Sequence, residues 1–229
     1  MIEAIGPDAT LFVDANGAYG RKQALRFGRQ LEDLGVTWFE EPVSSDDVEG
    51  LAMLSGRLDL DVTAGEYGTD LDTFRRLAGA VDCLQVDVTR CGGITNWIRI
   101  AATAEAHHVD VSGHCAPLQH LSVAAATANL RHLEYFHDHV RVESRLFEDI
   151  PVVVDGALTP SGEPGTGSGS IALGWSRIAC FEFVNPHVGG VGVYVGAGPA
   201  GVAPLRCPGA GGGTAWRWIA GSVVGRWHR

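Results

Sequence analysis

Asp14, Glu40 and Glu66 are separated by 26 residues and then by 26 again. Each closes or closely follows a short apolar run: TLFVD at 10–14, TWFEE at 37–41, where Glu41 is the neighbour of Glu40, and LDVTAG at 60–65. Spacing of about one strand–helix unit puts the three carboxylates on consecutive strands at the same height. In a parallel barrel the C-terminal strand ends share one face, so residues far apart in sequence converge there. Three carboxylates brought together repel one another and are driven towards protonation unless a cation sits among them. A hard divalent ion such as Mg²⁺ resolves this, because it favours oxygen ligands and keeps positions open for water or substrate. Asp87 and His114 follow the next two strands, and Glu134 lies on the sixth. A carboxylate bonded to an imidazole fixes its tautomer and raises its basicity, as a general base requires. Removing a proton alpha to a carboxylate needs such a base and strong stabilisation of the resulting enediolate, which a metal can supply. A single acid at a strand end is commonly only a helix cap. Five groups in register share a spacing that independent accidents do not.

The elements that must position these groups alternate along the chain. Strands are expected at 10–14, 37–41, 60–65, 83–88, 109–113 and 132–136, with helical stretches between them, which is the rhythm of βαβ units and a parallel sheet. Between residues 21 and 34, Ala24, Phe27, Leu31 and Leu34 recur at helical spacing, and Gly35 ends the helix. Ser44 or Ser45 can cap a helix carrying Val48, Leu51 and Leu54, and Thr69 one carrying Leu71, Phe74 and Leu77. GGITNWIRIAATAEAHH and LSVAAATANL supply a fourth and a fifth helix.

Composition narrows the class of protein. The 229 residues are 45% apolar, enough for one sizeable core. A formal net charge of −10 repels phosphate backbones and anionic lipid, which argues against nucleic acid and membrane partners. No apolar run reaches the roughly 20 residues of a spanning helix, and MIEAIGPDAT lacks a basic stretch followed by an apolar one, so the chain reads as cytoplasmic. Cys83, Cys91, Cys115, Cys180 and Cys207 are odd in number and widely spaced, which points to free thiols.

The motifs FVDANGAY, TWFEEPV, TAGE, LQVDVTRCGGITNWIRIAATAEAH, DVSGH and HLEYF, matched in type, order and spacing, resemble the barrel of the mandelate racemase subgroup of the enolase superfamily over about residues 1–167. The resemblance implies an α/β fold, a partial TIM-type (β/α) barrel of the enolase C-terminal domain kind that lacks the N-terminal capping domain and the first two barrel strands. It makes Asp14, Glu40 and Glu66 the ligands of one Mg²⁺, choosing Glu40 over Glu41 in keeping with strand alternation. It makes Asp87 and His114 the dyad with His114 as general acid/base, places Glu134 at the substrate carboxylate, and gives Asn16 a substrate contact. The implied reaction is abstraction of the alpha proton of a small hydroxy acid of the acid-sugar type. Its outcome is loss of water in a dehydratase, the favoured reading, or reprotonation in a racemase or epimerase. The family's second-face lysine has no counterpart, since the one lysine, Lys22, lies on the helix after the first strand. A non-catalytic truncated fragment is the rival reading. The family is commonly oligomeric, which allows a homo-oligomer.

Three segments follow from this: 1–150 as the partial barrel with the site, 151–167 as the start of the return towards a capping domain, and 168–229 as a tail. The tail is rich in glycine, holds Trp175, Trp216, Trp218 and Trp227 and has Glu182 as its one acid, a composition that suits irregular structure or out-of-frame translation. His137 and His139 of FHDHV are expected in a polar loop at the barrel mouth, and Cys115 in packing or in the pocket wall.

Overall fold

The computed structural model describes residues 5–6, 9–165, 167–169, 192–196, 218–219 and 222–223. Six parallel strands run in sequence order across one sheet: β1 (Thr10–Asp14), β2 (Val36–Glu40), β3 (Asp61–Ala64), β4 (Cys83–Val86), β5 (Asp110–Gly113) and β6 (Leu130–Leu133). Between and after them lie α1 (Arg21–Asp33), α2 (Val48–Ser55), α3 (Leu71–Leu77), α4 (Ile94–Ala106), α5 (Pro117–Ala124) and α6 (His137–Leu146). The result is a curled half-barrel, the α/β architecture expected from the alternation.

Alternation along each strand assigns its two faces. Leu11, Val13, Phe39, Val62, Ala64, Leu84, Val86 and Val111 join Leu51, Leu54, Phe74, Leu77, Trp97 and Ile100 of the helices in one buried apolar core. Fully burying a side chain of this size is worth about 1.5–3 kcal/mol over leaving it in water. The other face is polar: Phe12 and Trp38 share it with Thr63, Gln85, Ser112 and His132. The His132 ring lies 5.3 Å from that of Phe12 and 4.9 Å from that of Trp38, so β6 curls back towards β1 and β2. At the start of the strands Arg131 pairs with Asp61 of β3 and, at 3.1 Å, with Asp110 of β5.

Local chemistry moves several boundaries. On α1 the buried residues are Ala24 and Gly28, with Leu58 against Gly28, while Phe27 and Leu34 are exposed. Of the expected apolar stripe, Ala24 is buried and Leu31 packs partly buried against the core, as does Leu25 beside it. Asp47 caps α2 by accepting from Gly50 N, and Asp70 caps α3 by accepting from Thr73 N at 2.9 Å. These carboxylates take the place expected for Ser44, Ser45 and Thr69. The helix expected from LSVAAATANL begins earlier, at Pro117, a residue suited to a first turn.

Residues 137–146 form α6, so His137 and His139 stand at the start of a helix rather than in a loop. Of the expected tail, Gly192–Gly196 forms a strand, β7, antiparallel to β1, and Trp218–Ile219 (β8) pairs with Ser222–Val223 (β9). The other positions of that segment beyond Gly169 lie outside the described residues. No helix among the described residues is long and apolar enough to cross a membrane.

Candidate active site

The mouth of the half-barrel is built from the strand ends. Asp14 and Glu40 are the last residues of β1 and β2, paired across the ladder. Glu66 stands two residues beyond β3, after Gly65, whose φ of +141° and approach to β4 leave no room for a side chain: a Cβ there would lie 2.6 Å from the Gln85 carbonyl oxygen. Asp14, Glu40 and Glu66 are all buried, and one oxygen of each lies within 4.8 Å of the others.

Burial and crowding together make this cluster costly. Burial, then the charge of Glu66, pushes the Asp14 carboxyl up to about 8, and burial with the charge of Asp14 holds Glu40 well above the usual carboxylate range. Glu40 Oε2 accepts a 3.0 Å hydrogen bond from Trp38 Nε1, two residues back on the same face. Asp14 accepts from the Asn16 backbone N–H at 2.8 Å and from the Asn16 side-chain amide. These are neutral donors that orient the oxygens without neutralising them. An all-oxygen donor set this close fits a hard divalent cation.

The acid/base pair stands beside it. His114 Nδ1 lies 2.9 Å from Asp87 Oδ2, and Nε2 lies 3.2 Å from Glu66 Oε2. Asp87 Oδ1 accepts from Thr89 N at 2.7 Å and from its hydroxyl at 2.6 Å. Burial alone would raise the Asp87 carboxyl, but the hydrogen bonds from His114 and Thr89 outweigh it and hold the group at about 2. Burial would likewise lower His114. Its bonds to Asp87, Cys115 and Glu66 prevail and raise it far above the ordinary imidazole range. Glu134 lies one residue past β6 and continues the ladder by donating its N–H to Gly113 O at 2.9 Å. Its Oε2 accepts from Cys115 N at 2.8 Å, and burial raises its carboxyl above the usual range.

Six of the seven expected positions, Asp14, Glu40, Glu66, Asp87, His114 and Glu134, are therefore brought to one cavity. Asn16 is exposed in a turn with φ of 47°, beyond the strand rather than on its face, where it clamps Asp14.

Other members of the cavity were not expected. Strand alternation would send Glu41 away from Glu40, yet β2 ends at Glu40 and Glu41 adopts φ of 39°. Glu41 is buried, and after burial itself the charges of Glu66 and Asp14 push its carboxyl up to about 9. Arg90, in the turn after Asp87, lies 3.4 Å from Asp87 Oδ2 and 3.5 Å from Glu66 Oε1. The TRCGG context gives no periodic signal for it. His120 is buried with Nδ1 bonded to Ala116 O at 2.9 Å and Nε2 accepting from Val88 N at 2.8 Å, which pins the residue after Asp87.

Residues 1–169 match the enolase C-terminal domain-like family. The chain belongs to that family. This enolase C-terminal domain is 32% identical over 182 residues to L-talarate/galactarate dehydratase of Salmonella typhimurium, covering 78% of the chain and 45% of the relative. It superposes with a TM-score of 0.67 on a mandelate racemase/muconate lactonizing enzyme-like protein from Rubrobacter xylanophilus, at 45% identity, over 69% of this chain and 45% of that one. The L-talarate dehydratase of Polaromonas sp. JS666, solved with Mg and L-glucarate, gives a TM-score of 0.67 at 31% identity over 75% of this chain and 47% of that one. The enolase C-terminal domain described here spans about half the length of these relatives.

Proposed function

We propose that this chain carries the acid/base and metal-binding half of a Mg²⁺-dependent acid-sugar dehydratase of the mandelate racemase subgroup. The observation that carries the reading is the placement of His114: Nδ1 is tethered to Asp87 while Nε2 faces the carboxylate triad. Asp14, Glu40 and Glu66 would hold the cation, with Asn16 and Trp38 fixing two of the three carboxylates. When bound, Mg²⁺ supplies positive charge that balances the triad and stabilises negative charge developing on the substrate carboxylate.

The remaining chemistry belongs to the chain's own side chains. His114 Nε2 takes the alpha proton, and Asp87 stabilises the imidazolium that forms while keeping the ring oriented. The same imidazolium returns its proton to the departing beta hydroxyl, which leaves as water, and the enol product tautomerises to a 2-keto-3-deoxy acid. Glu134, whose carboxyl burial raises above the usual range, would hydrogen-bond the substrate carboxylate. One group serves as base and then acid, so elimination is complete on one face of the substrate, whereas racemisation needs a second group opposite. The dehydratases among the relatives support elimination. The acidic balance of the chain argues against nucleic acid and anionic membrane surfaces as partners, and the reading is of a cytoplasmic, homo-oligomeric enzyme acting on a small carboxylate.

Thermal melting against Mg²⁺ tests the reading. The native chain should gain about 2.7 kcal/mol at a concentration 100 times the dissociation constant, and Glu66→Gln should lose that gain. His114→Gln should keep the gain but slow exchange of the alpha proton of an acid sugar with deuterated water by about 10²- to 10⁴-fold. A melting curve indifferent to millimolar Mg²⁺ in the native chain overturns the reading.

A further inference from the structure

We infer that the cavity contains a second cation site, formed by His114 Nε2, Cys115 Sγ and Glu134 Oε2, that binds a thiophilic divalent ion of the zinc type. Cys115 Sγ lies 3.3 Å from His114 Nε2 and 3.3 Å from Glu134 Oε2. One ligand atom from each of the three residues falls within 4.8 Å of the others. Tetrahedral coordination with zinc–nitrogen, zinc–oxygen and zinc–sulfur bonds of about 2.0–2.3 Å separates neighbouring ligand atoms by about 3.5 Å, close to the spacing found. The donors differ in kind from the oxygen triad beside them. A thiolate and an imidazole select a borderline-soft ion over Mg²⁺.

The surroundings are those of a built ligand set. His114 Nδ1 is bonded to Asp87, which is itself held by Thr89, so the imidazole is oriented with Nε2 turned towards the thiol, as in carboxylate–histidine–zinc arrangements. Glu134 is fixed by the Cys115 backbone N–H. Cys115 and Ala116 adopt consecutive left-handed conformations, with φ of 49° and 35°, and non-glycine residues hold such backbone only where the surroundings impose it. The turn brings the buried Cys115 sulfur back into the cavity. Burial pushes its thiol up to about 12, which removes it as a nucleophile near neutral pH; a metal displaces the proton instead.

His114 Nε2 cannot hold an ion and receive a proton at once, so occupancy of this site blocks proton transfer. That consequence rests on the proposed function, while the binding does not. The binding is read directly by titrating the chain with Co²⁺ in excess Mg²⁺ and following the thiolate-to-cobalt charge-transfer absorption. Expected is a band that saturates at one ion per chain, disappears on adding Zn²⁺, and is lost in Cys115→Ser but retained in Glu66→Gln. Asp87→Asn and Glu134→Gln, each with its native fold checked by circular dichroism, should weaken binding about 10- to 100-fold. The site is overturned if the native chain gives no band, if the band survives in Cys115→Ser, or if both of these weaker variants bind as the native chain does. Loss of the Mg²⁺ effect on melting with retention of the cobalt band would sink the dehydratase reading alone.

Discussion

Trp38 and Phe39 are adjacent and both buried, yet they belong to different worlds. Phe39 faces the helices and is part of the apolar core. Trp38 faces the cavity, stacks 5.1 Å from Phe12 and donates to Glu40. The same division runs through the sheet: the helix side collects apolar side chains, while the inner side collects acids, amides, hydroxyls and imidazoles beside the rings of Phe12 and Trp38. Burial on the first side lowers the free energy of folding, and on the second it raises the cost of every charge. Stability and chemistry are thus separated by one residue along each strand.

Substitutions on the two faces should separate in the same way. Phe39→Ala should cost about 3–5 kcal/mol in urea unfolding, with no change in Mg²⁺ affinity for the molecules that remain folded. A drop in affinity equal to that of a triad variant would break the division. His132, on the inner face, should show in the pH dependence. Burial and then the charge of Arg131 depress its imidazole to about 4. Protons therefore bind the unfolded chain first, and this stabilising contribution is present above about pH 6.5 and lost as pH falls towards 4. His132→Phe should abolish up to about 3 kcal/mol of that loss, read as a smaller difference between unfolding free energies at pH 7 and pH 4. The smallest effect is expected for Trp38→Phe, which keeps an aromatic ring but removes the donor to Glu40. It should weaken the Mg²⁺ response about tenfold, near 1.4 kcal/mol, while altering the melting temperature without Mg²⁺ less than Phe39→Ala does.

The sequence carried the parts of this arrangement that depend on periodicity. The βαβ rhythm and the 26-residue spacing of Asp14, Glu40 and Glu66 are consequences of repeated strand–helix units, so they are visible without coordinates. The strand-end pattern also paired Asp87 with His114 as a base, the resemblance added the role of Glu134, and the fold brings these side chains together. What escaped depends on single backbone angles. Glu41 enters the acidic cavity because its φ is positive, and alternation ceases to apply where the strand stops. Cys115 turns towards Glu134 for the same reason. Caps shifted by one to three residues, since Ser44, Ser45 and Thr69 compete with aspartates that accept more strongly. Arg90 acts from a turn, where no period announces it.

Arg131 gives the half-barrel a property that the strands alone do not. Its guanidinium reaches Asp61 on β3 and Asp110 on β5 and lies 5.8 Å over the Trp38 ring of β2, so one side chain on β6 draws a chord across the arc of the sheet. A chord fixes curvature, and curvature fixes how far apart the opposite ends of the strands stand. The distance between Asp14 on one flank and Glu134 on the other is therefore set partly by leverage from the far end, where no chemistry takes place.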